Sequence, residues 1–175
     1  PPPTRSSAAS DVYKRQLYSF RRCPYAMRAR WALLQAGQLV QWREIELKDK
    51  PAPMLEASPK ATVPVLVLAD GTVIDESLAV MHWALKQADP CDLRRQGSGK
   101  TQDSIQRLIE LNDTTFKHHL DRFKYTDRYP GQSGQEHQQQ GLEVLRSWSD
   151  QIDGCGGWPV SYTHLTLPTI SCVLL

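Results

Sequence analysis

Cys23 stands immediately before Pro24 in the stretch RRCPYAMRAR, residues 21–30, and those residue types are the ones a nucleophilic thiol needs. Proline is tolerated at a first helical position, because its missing N–H would have had no partner there and its fixed φ already suits a helix. Ala29, Ala32, Leu33 and Ala36 then repeat at i, i+3, i+4, i+7, with Gly37 as a C-terminal stop. Cys23 therefore falls at a helix N-terminus. The helix dipole and unpaired backbone N–H groups, with Arg21, Arg22 and Arg28 close in sequence, favour thiolate over thiol. The plainer alternative, a small apolar residue that ends a strand, is the weaker reading. A dithiol redox motif would carry a second cysteine three positions on, where Ala26 stands. The site is monothiol, so a mixed disulfide formed on Cys23 must be resolved by an outside thiol.

The elements that must position this thiol follow from local pattern. Residues 17–20 (LYSF) read as a strand leading in, and residues 40–47 (VQWREIEL) as a second, so that strand, helix, strand makes a parallel pair. Residues 51–55 (PAPML) predict a short helix ended by Ser58-Pro59. Residues 63–68 (VPVLVL) and 72–74 (TVI) flank Asp70-Gly71, a two-residue hairpin signal. Pro64 belongs at a strand's start or edge, and a cis Val63-Pro64 bond would expose the Val63 backbone for a ligand to pair with.

A helix opens at Asp75-Glu76-Ser77, with Leu78, Met81 and Leu85 on one face. Its first turn has two readings that the residues alone leave equal. Acidic and hydroxyl residues cap helices. They can also hold a zwitterionic amino-acid head group, Glu76 taking the ammonium while Ser77 and backbone N–H groups take the carboxylate.

Asp89-Pro90 ends that helix and residues 91–100 read as a linker. Its GSGKT ending is not a phosphate-binding loop, since Arg94 stands where the first glycine is needed and no strand precedes. From Thr101 one long amphipathic helix is expected, carrying Ile105, Leu108, Ile109, Phe116, Leu120 and Phe123. After a polar loop over residues 125–134, a second helix carries Leu142, Leu145, Trp148 and Ile152. His118 and His119 are adjacent and so point in different directions on a helix, which argues against a chelating face with Asp121. They read as solvent-side histidines, and His82 and His137 as lone histidines without partners; no metal is expected.

A hydrophobic fraction of 40% and a net charge of +2 describe a globular chain too evenly balanced for nucleic acid. No apolar run has the length of a membrane-spanning helix, so no membrane partner is expected. Cys23, Cys91, Cys155 and Cys172 have no metal spacing and suit a reducing cytoplasm. The chain begins Pro-Pro-Pro without an initiator methionine and is read as a fragment. Residues 6–16 (SSAASDVYKRQ) and 160–170 (VSYTHLTLPTI) resemble peptides translated from sequencing-adapter DNA. Residues 1–16 and 160–175 are therefore set aside as non-native, and Tyr13, Tyr162 and His164 are assigned no function.

Five ordered motifs carry a resemblance: Cys23-Pro24-Tyr25-Ala26, Leu47-Lys48-Asp49-Lys50-Pro51, Ser58-Pro59, Val63-Pro64-Val65-Leu66 and Glu76-Ser77. In this order they resemble the glutathione transferase superfamily, and most its cysteine-type members: the omega class, dehydroascorbate reductases and glutaredoxin-2-like proteins. The resemblance implies an α/β thioredoxin-like N-terminal domain (βαβαββα) over residues 17–90, a linker over 91–100 and a partial all-helical domain over 101–159. The helical domain is expected to be truncated, without the further helix that the family begins with a Ser/Thr-x-x-Asp capping motif.

The resemblance further implies that Cys23 forms a mixed disulfide with glutathione, the cosubstrate. Val63, ahead of cis Pro64, pairs through its backbone with the cysteinyl part; Glu76 and Ser77 hold the γ-glutamyl head, and Lys50 lies near the glycine carboxylate. Arg28 contributes at most to the local field, and Tyr18 and Ser19 are strand residues. What remains of a second-substrate pocket would be walled around Asn112, Phe116 and His119. The implied function is a glutathione-dependent thiol transferase or deglutathionylating reductase acting on a small electrophilic or disulfide substrate in the cytoplasm, with a homodimer as the compatible assembly. The alternative is a non-enzymatic adaptor of the same fold.

Overall fold

The computed structural model describes residues 14–97 and 99–154. The chain divides into two compact units, one reaching Leu93 and the other starting at Arg94. Cys155, Cys172 and the end segments set aside above lie outside the described residues, except for positions 14–16.

The first unit is a four-stranded sheet with helices. Strands β1 (Gln16–Ser19), β2 (Gln41–Glu44), β3 (Val65–Val67) and β4 (Val73–Ile74) lie in the order β2-β1-β3-β4. β1 and β2 are parallel, joined through helix α1 (Pro24–Gln35), while β3 runs antiparallel to both β1 and β4. Helix α2 (Ala52–Ala57) precedes β3 and helix α3 (Ser77–Gln87) follows β4. This is the βαβαββα order expected from the pattern. β2 is shorter than the apolar and charged mixture suggested, and three of its four residues are exposed.

Register puts Leu17 opposite Leu66 and Tyr18 opposite Val65. Directly paired residues share a face, so the two pairs point to opposite sides of the sheet. Tyr18 and Val65 join Ala26, Ile45, Met54 and Val63 in one cluster, with Cys23 packed against it. α1 packs against α3, whose Val80, Met81, Ala84 and Leu85 are buried. α1 ends in a left-handed glycine, Gly37 at φ +62°, with Gly37 N–H donating to Leu34 and Gln38 N–H to Leu33. That pair of bonds satisfies the last carbonyls of the helix. The hairpin turn has three residues rather than two: Leu68 pairs with Thr72, and Gly71 takes φ +86° after a turn closed by its own N–H on Leu68.

The second unit holds α4 (Gly99–Leu111), α5 (Lys117–Lys124) and α6 (Gly134–Gly154). The expected single long helix is broken by a π-helical turn, Asn112–Phe116, between α4 and α5. Its core is Ile109, Asn112, Phe116 and Trp148, with Phe116 and Trp148 rings 5.3 Å apart. Asn112 and Phe116 are both buried. Phe123 and Leu142, expected on buried faces, are exposed.

Candidate active site

Cys23 is the N-cap residue of α1, with extended backbone (φ −78°, ψ 117°) and Pro24 as the first helical residue. Its carbonyl accepts the first helical bond, from Met27 at 2.9 Å, and its own N–H donates to Phe20 at 3.0 Å. The side chain makes no capping bond and the first turn holds no acidic residue. The positive end of the helix dipole is therefore left to whatever anion sits at this position. The half-buried thiol donates to the Val63 carbonyl, Sγ to O 3.7 Å. The Val63–Pro64 bond is cis. Cys23 and Val63, forty residues apart in sequence, are thereby brought together.

Glu76 and Ser77 open α3. Glu76 is the N-cap residue and makes no side-chain cap bond, so the helix start is not closed by its own chain. Ser77 is 5% exposed and accepts from Arg28, which donates through Nε at 3.0 Å and Nη2 at 2.9 Å. Arg28 is itself only 3% exposed and its guanidinium lies over the Tyr25 ring, 4.9 Å from the centroid. It is a structural member of the site, not a distant contributor of charge. The signal was present in sequence: an arginine set among Ala26, Ala29 and Ala32 on a tightly packed helix face needs a buried partner.

Lys60 is a second residue that pattern reading missed. Its ammonium lies 2.7 Å from Glu76 Oε1 and 3.5 Å from Asp75 Oδ1. The hydrogen bond to Glu76, aided by the charges of Asp75 and Glu76, holds the Lys60 ammonium above the usual lysine range. Asp75 also accepts from Ser58 at 2.9 Å, tying the end of α2 to the start of α3. Lys50 is half-buried after β2. It is joined to none of Cys23, Val63, Glu76 or Ser77 by a hydrogen bond or ion pair among the described residues. Ser19 is fully buried and accepts from Arg30 at 2.7 Å, as suits a strand residue with its hydroxyl occupied.

An apolar cavity of about 460 Å³ opens elsewhere in this unit, lined by Leu17, Met27, Trp31, Leu34, Leu39 and Trp42 among others. It includes none of Cys23, Arg28, Lys50, Lys60, Val63, Glu76 and Ser77. No described helix is long and apolar enough to cross a membrane.

Residues 17–92 match the family model for the glutathione S-transferase N-terminal domain. No curated protein matches the chain. Among solved structures, glutathione transferase Omega 3C from Trametes versicolor superposes with a TM-score of 0.75 at 20% identity, over 95% of this chain and 72% of that one. A glutathione S-transferase from Rhodospirillum rubrum F11 does so with a TM-score of 0.69 at 25% identity, over 91% and 76%. A glutathione transferase homologue from Sulfitobacter, determined with glutathione bound, gives 0.69 at 16% identity, over 93% and 81%. The described residues thus have the glutathione transferase fold, and residues 17–92 are similar to the glutathione S-transferase N-terminal domain.

Proposed function

We propose that the chain is a glutathione-dependent thiol transferase, a deglutathionylating reductase in which Cys23 is the nucleophile. The observation that carries this reading is the Cys23 sulfur at the uncapped start of α1, 3.7 Å from the Val63 carbonyl. A thiol rather than a hydroxyl at such a position makes disulfide exchange the favoured chemistry.

In the first step the Cys23 sulfur attacks the glutathionyl sulfur of a mixed disulfide. A new S–S bond forms, the old one breaks, and the substrate leaves as a thiolate that takes up a proton. Ala26 offers no resolving thiol, so a glutathione thiolate attacks the Cys23 mixed disulfide, releasing glutathione disulfide and restoring Cys23. Glutathione is consumed as the reductant, and no metal enters either step.

Binding rests on the second uncapped helix start. With both Arg28 donors on its oxygen, Ser77 has its hydroxyl proton left to give to a carboxylate, alongside the first-turn N–H groups of α3. Glu76 takes the ammonium of the γ-glutamyl head, sharing its carboxylate with Lys60. Val63, positioned by Pro64, offers its backbone to the cysteinyl part, and Lys50 takes the glycine carboxylate. The Sulfitobacter homologue, which holds glutathione, supports this choice of cosubstrate. A reaction that consumes reduced glutathione belongs in a reducing compartment, and we assign the cytoplasm.

The test is reduction of hydroxyethyl disulfide by glutathione, with retention on glutathione resin measured in parallel. Cys23→Ser is expected to abolish reduction while retention persists. Full activity in that variant would discard the thiol mechanism, and loss of retention in the unmodified chain would discard the binding site.

A further inference from the structure

The helical unit brings together three imidazoles that sequence reading kept apart. His118 and His119 lie on α5 and His137 on α6, and one ring nitrogen from each lies within 4.8 Å of the others. His119 Nδ1 and His137 Nδ1 are 2.9 Å apart, and the three ring centroids are separated by 5.0, 5.6 and 5.2 Å. The expectation that His118 and His119 could not converge, and that His137 was alone, is therefore corrected. His82 is not without a partner either. Adjacent helical side chains do diverge, but a third ring from a packed helix can bridge them.

We propose that His118, His119 and His137 form a binding site for a divalent transition-metal ion of the zinc, copper and nickel group, which clasps α5 to α6. Three nitrogen donors without a carboxylate or thiolate among them suit these ions and not magnesium or calcium. A tetrahedral ion with bonds of about 2.0–2.1 Å to nitrogen needs ligand atoms about 3.4 Å apart. The His119–His137 pair opens by a few tenths of an ångström to reach that, and the widest separation closes by a turn of the exposed His118 ring.

The neighbourhood is built in the manner of such sites. His137 Nε2 lies 3.1 Å from Gln132 Oε1, and an amide oxygen can only accept, so the proton is on Nε2 and the Nδ1 lone pair is left for a ligand. His119 Nδ1–H then donates to His137 Nδ1 when no ion is bound. On binding, the His119 ring turns or its proton moves to Nε2. Asp121 adds negative charge near His118 and Glu143 near His119, against the positive charge of Arg122.

The test is titration of the full chain, its thiols alkylated, with Zn²⁺ and Co²⁺ by calorimetry and by the visible absorption of Co²⁺, with Mg²⁺ as a comparison. One equivalent of Zn²⁺ and of Co²⁺ is expected to bind, and Mg²⁺ is not. His137→Ala and His119→Ala are expected to weaken binding at least tenfold, and Gln132→Ala about tenfold; His82→Ala is expected to have no effect. Absence of binding, or binding that His137→Ala leaves unchanged, would overturn the site. Should the histidine variants fail to fold by circular dichroism, carbethoxylation of the unmodified chain decides. Zn²⁺ must protect all three histidines from diethyl pyrocarbonate, and their full modification in its presence would overturn the proposal.

Discussion

Arg28 reaches from α1 to set two donors on the Ser77 hydroxyl oxygen, Nε at 3.0 Å and Nη2 at 2.9 Å. The contact links the helix that begins at Cys23 to the helix that begins at Ser77. Both its partners are buried, so it is shielded from solvent in a way that surface pairs are not.

If Arg28 aims the Ser77 proton at the ligand, Arg28→Met disturbs binding more than chemistry. A hydrogen bond from a charged group contributes about 1.5–3 kcal/mol, or tenfold or more in affinity. The KM for glutathione is expected to rise at least tenfold while kcat at saturating glutathione stays within a factor of about two. A fall in kcat with KM unchanged would contradict this role.

Stability should respond in the opposite sense to the naive one. Arg28→Met replaces a buried charge by an apolar chain of similar length and is expected to cost little. Ser77→Ala removes an acceptor that two guanidinium N–H groups share, and is expected to cost about 1–3 kcal/mol. Denaturant unfolding of the two variants should show Ser77→Ala as the less stable.

Lys60 is expected to lend the first unit a pH dependence at the alkaline end. Its ammonium is held above the ordinary lysine value by Glu76, so the contribution is full below about pH 10.4 and is lost as pH rises through the higher folded value. Both partners are largely exposed, so the effect is small and should shrink with salt. Melting temperatures measured from pH 9 to 12 should fall more steeply for the unmodified chain than for Lys60→Met.

In the helical unit, Trp148 packs on Phe116 with its indole nitrogen buried and without a hydrogen-bond partner among the described residues. Trp148→Phe removes that unsatisfied donor along with some contact area, and is expected to cost less than about 1.5 kcal/mol. Phe116→Ala deletes the ring and is expected to cost about 3–5 kcal/mol. Denaturation followed by circular dichroism separates the two.

What could be read from residues alone was local. Cys23 before Pro24, the Gly37 stop, the Asp70-Gly71 turn and the start of α3 each depend on the backbone preferences of a few neighbours, and the structure has them where the pattern put them. The three-residue hairpin loop escaped because the same dipeptide serves two turn geometries that differ only in which residues pair beyond it. Arg28, Lys60 and the histidine cluster escaped for another reason: each is made by partners sixteen to forty-nine positions apart, or across two helices. The π turn is the clearest case. A 3.6-residue period carried straight through residues 112–116 gives no sign of the change to π-helical pairing there.

The most direct test of Cys23 as nucleophile sets it against Cys91, which is the more exposed of the two described thiols. The full chain is incubated with a glutathionylated peptide, digested without reductant, and the glutathionyl adduct is located by mass spectrometry. The adduct is expected on Cys23, removed by added glutathione, and absent from Cys23→Ser. An adduct that follows exposure, forming on Cys91 while Cys23 stays free, would contradict the assignment.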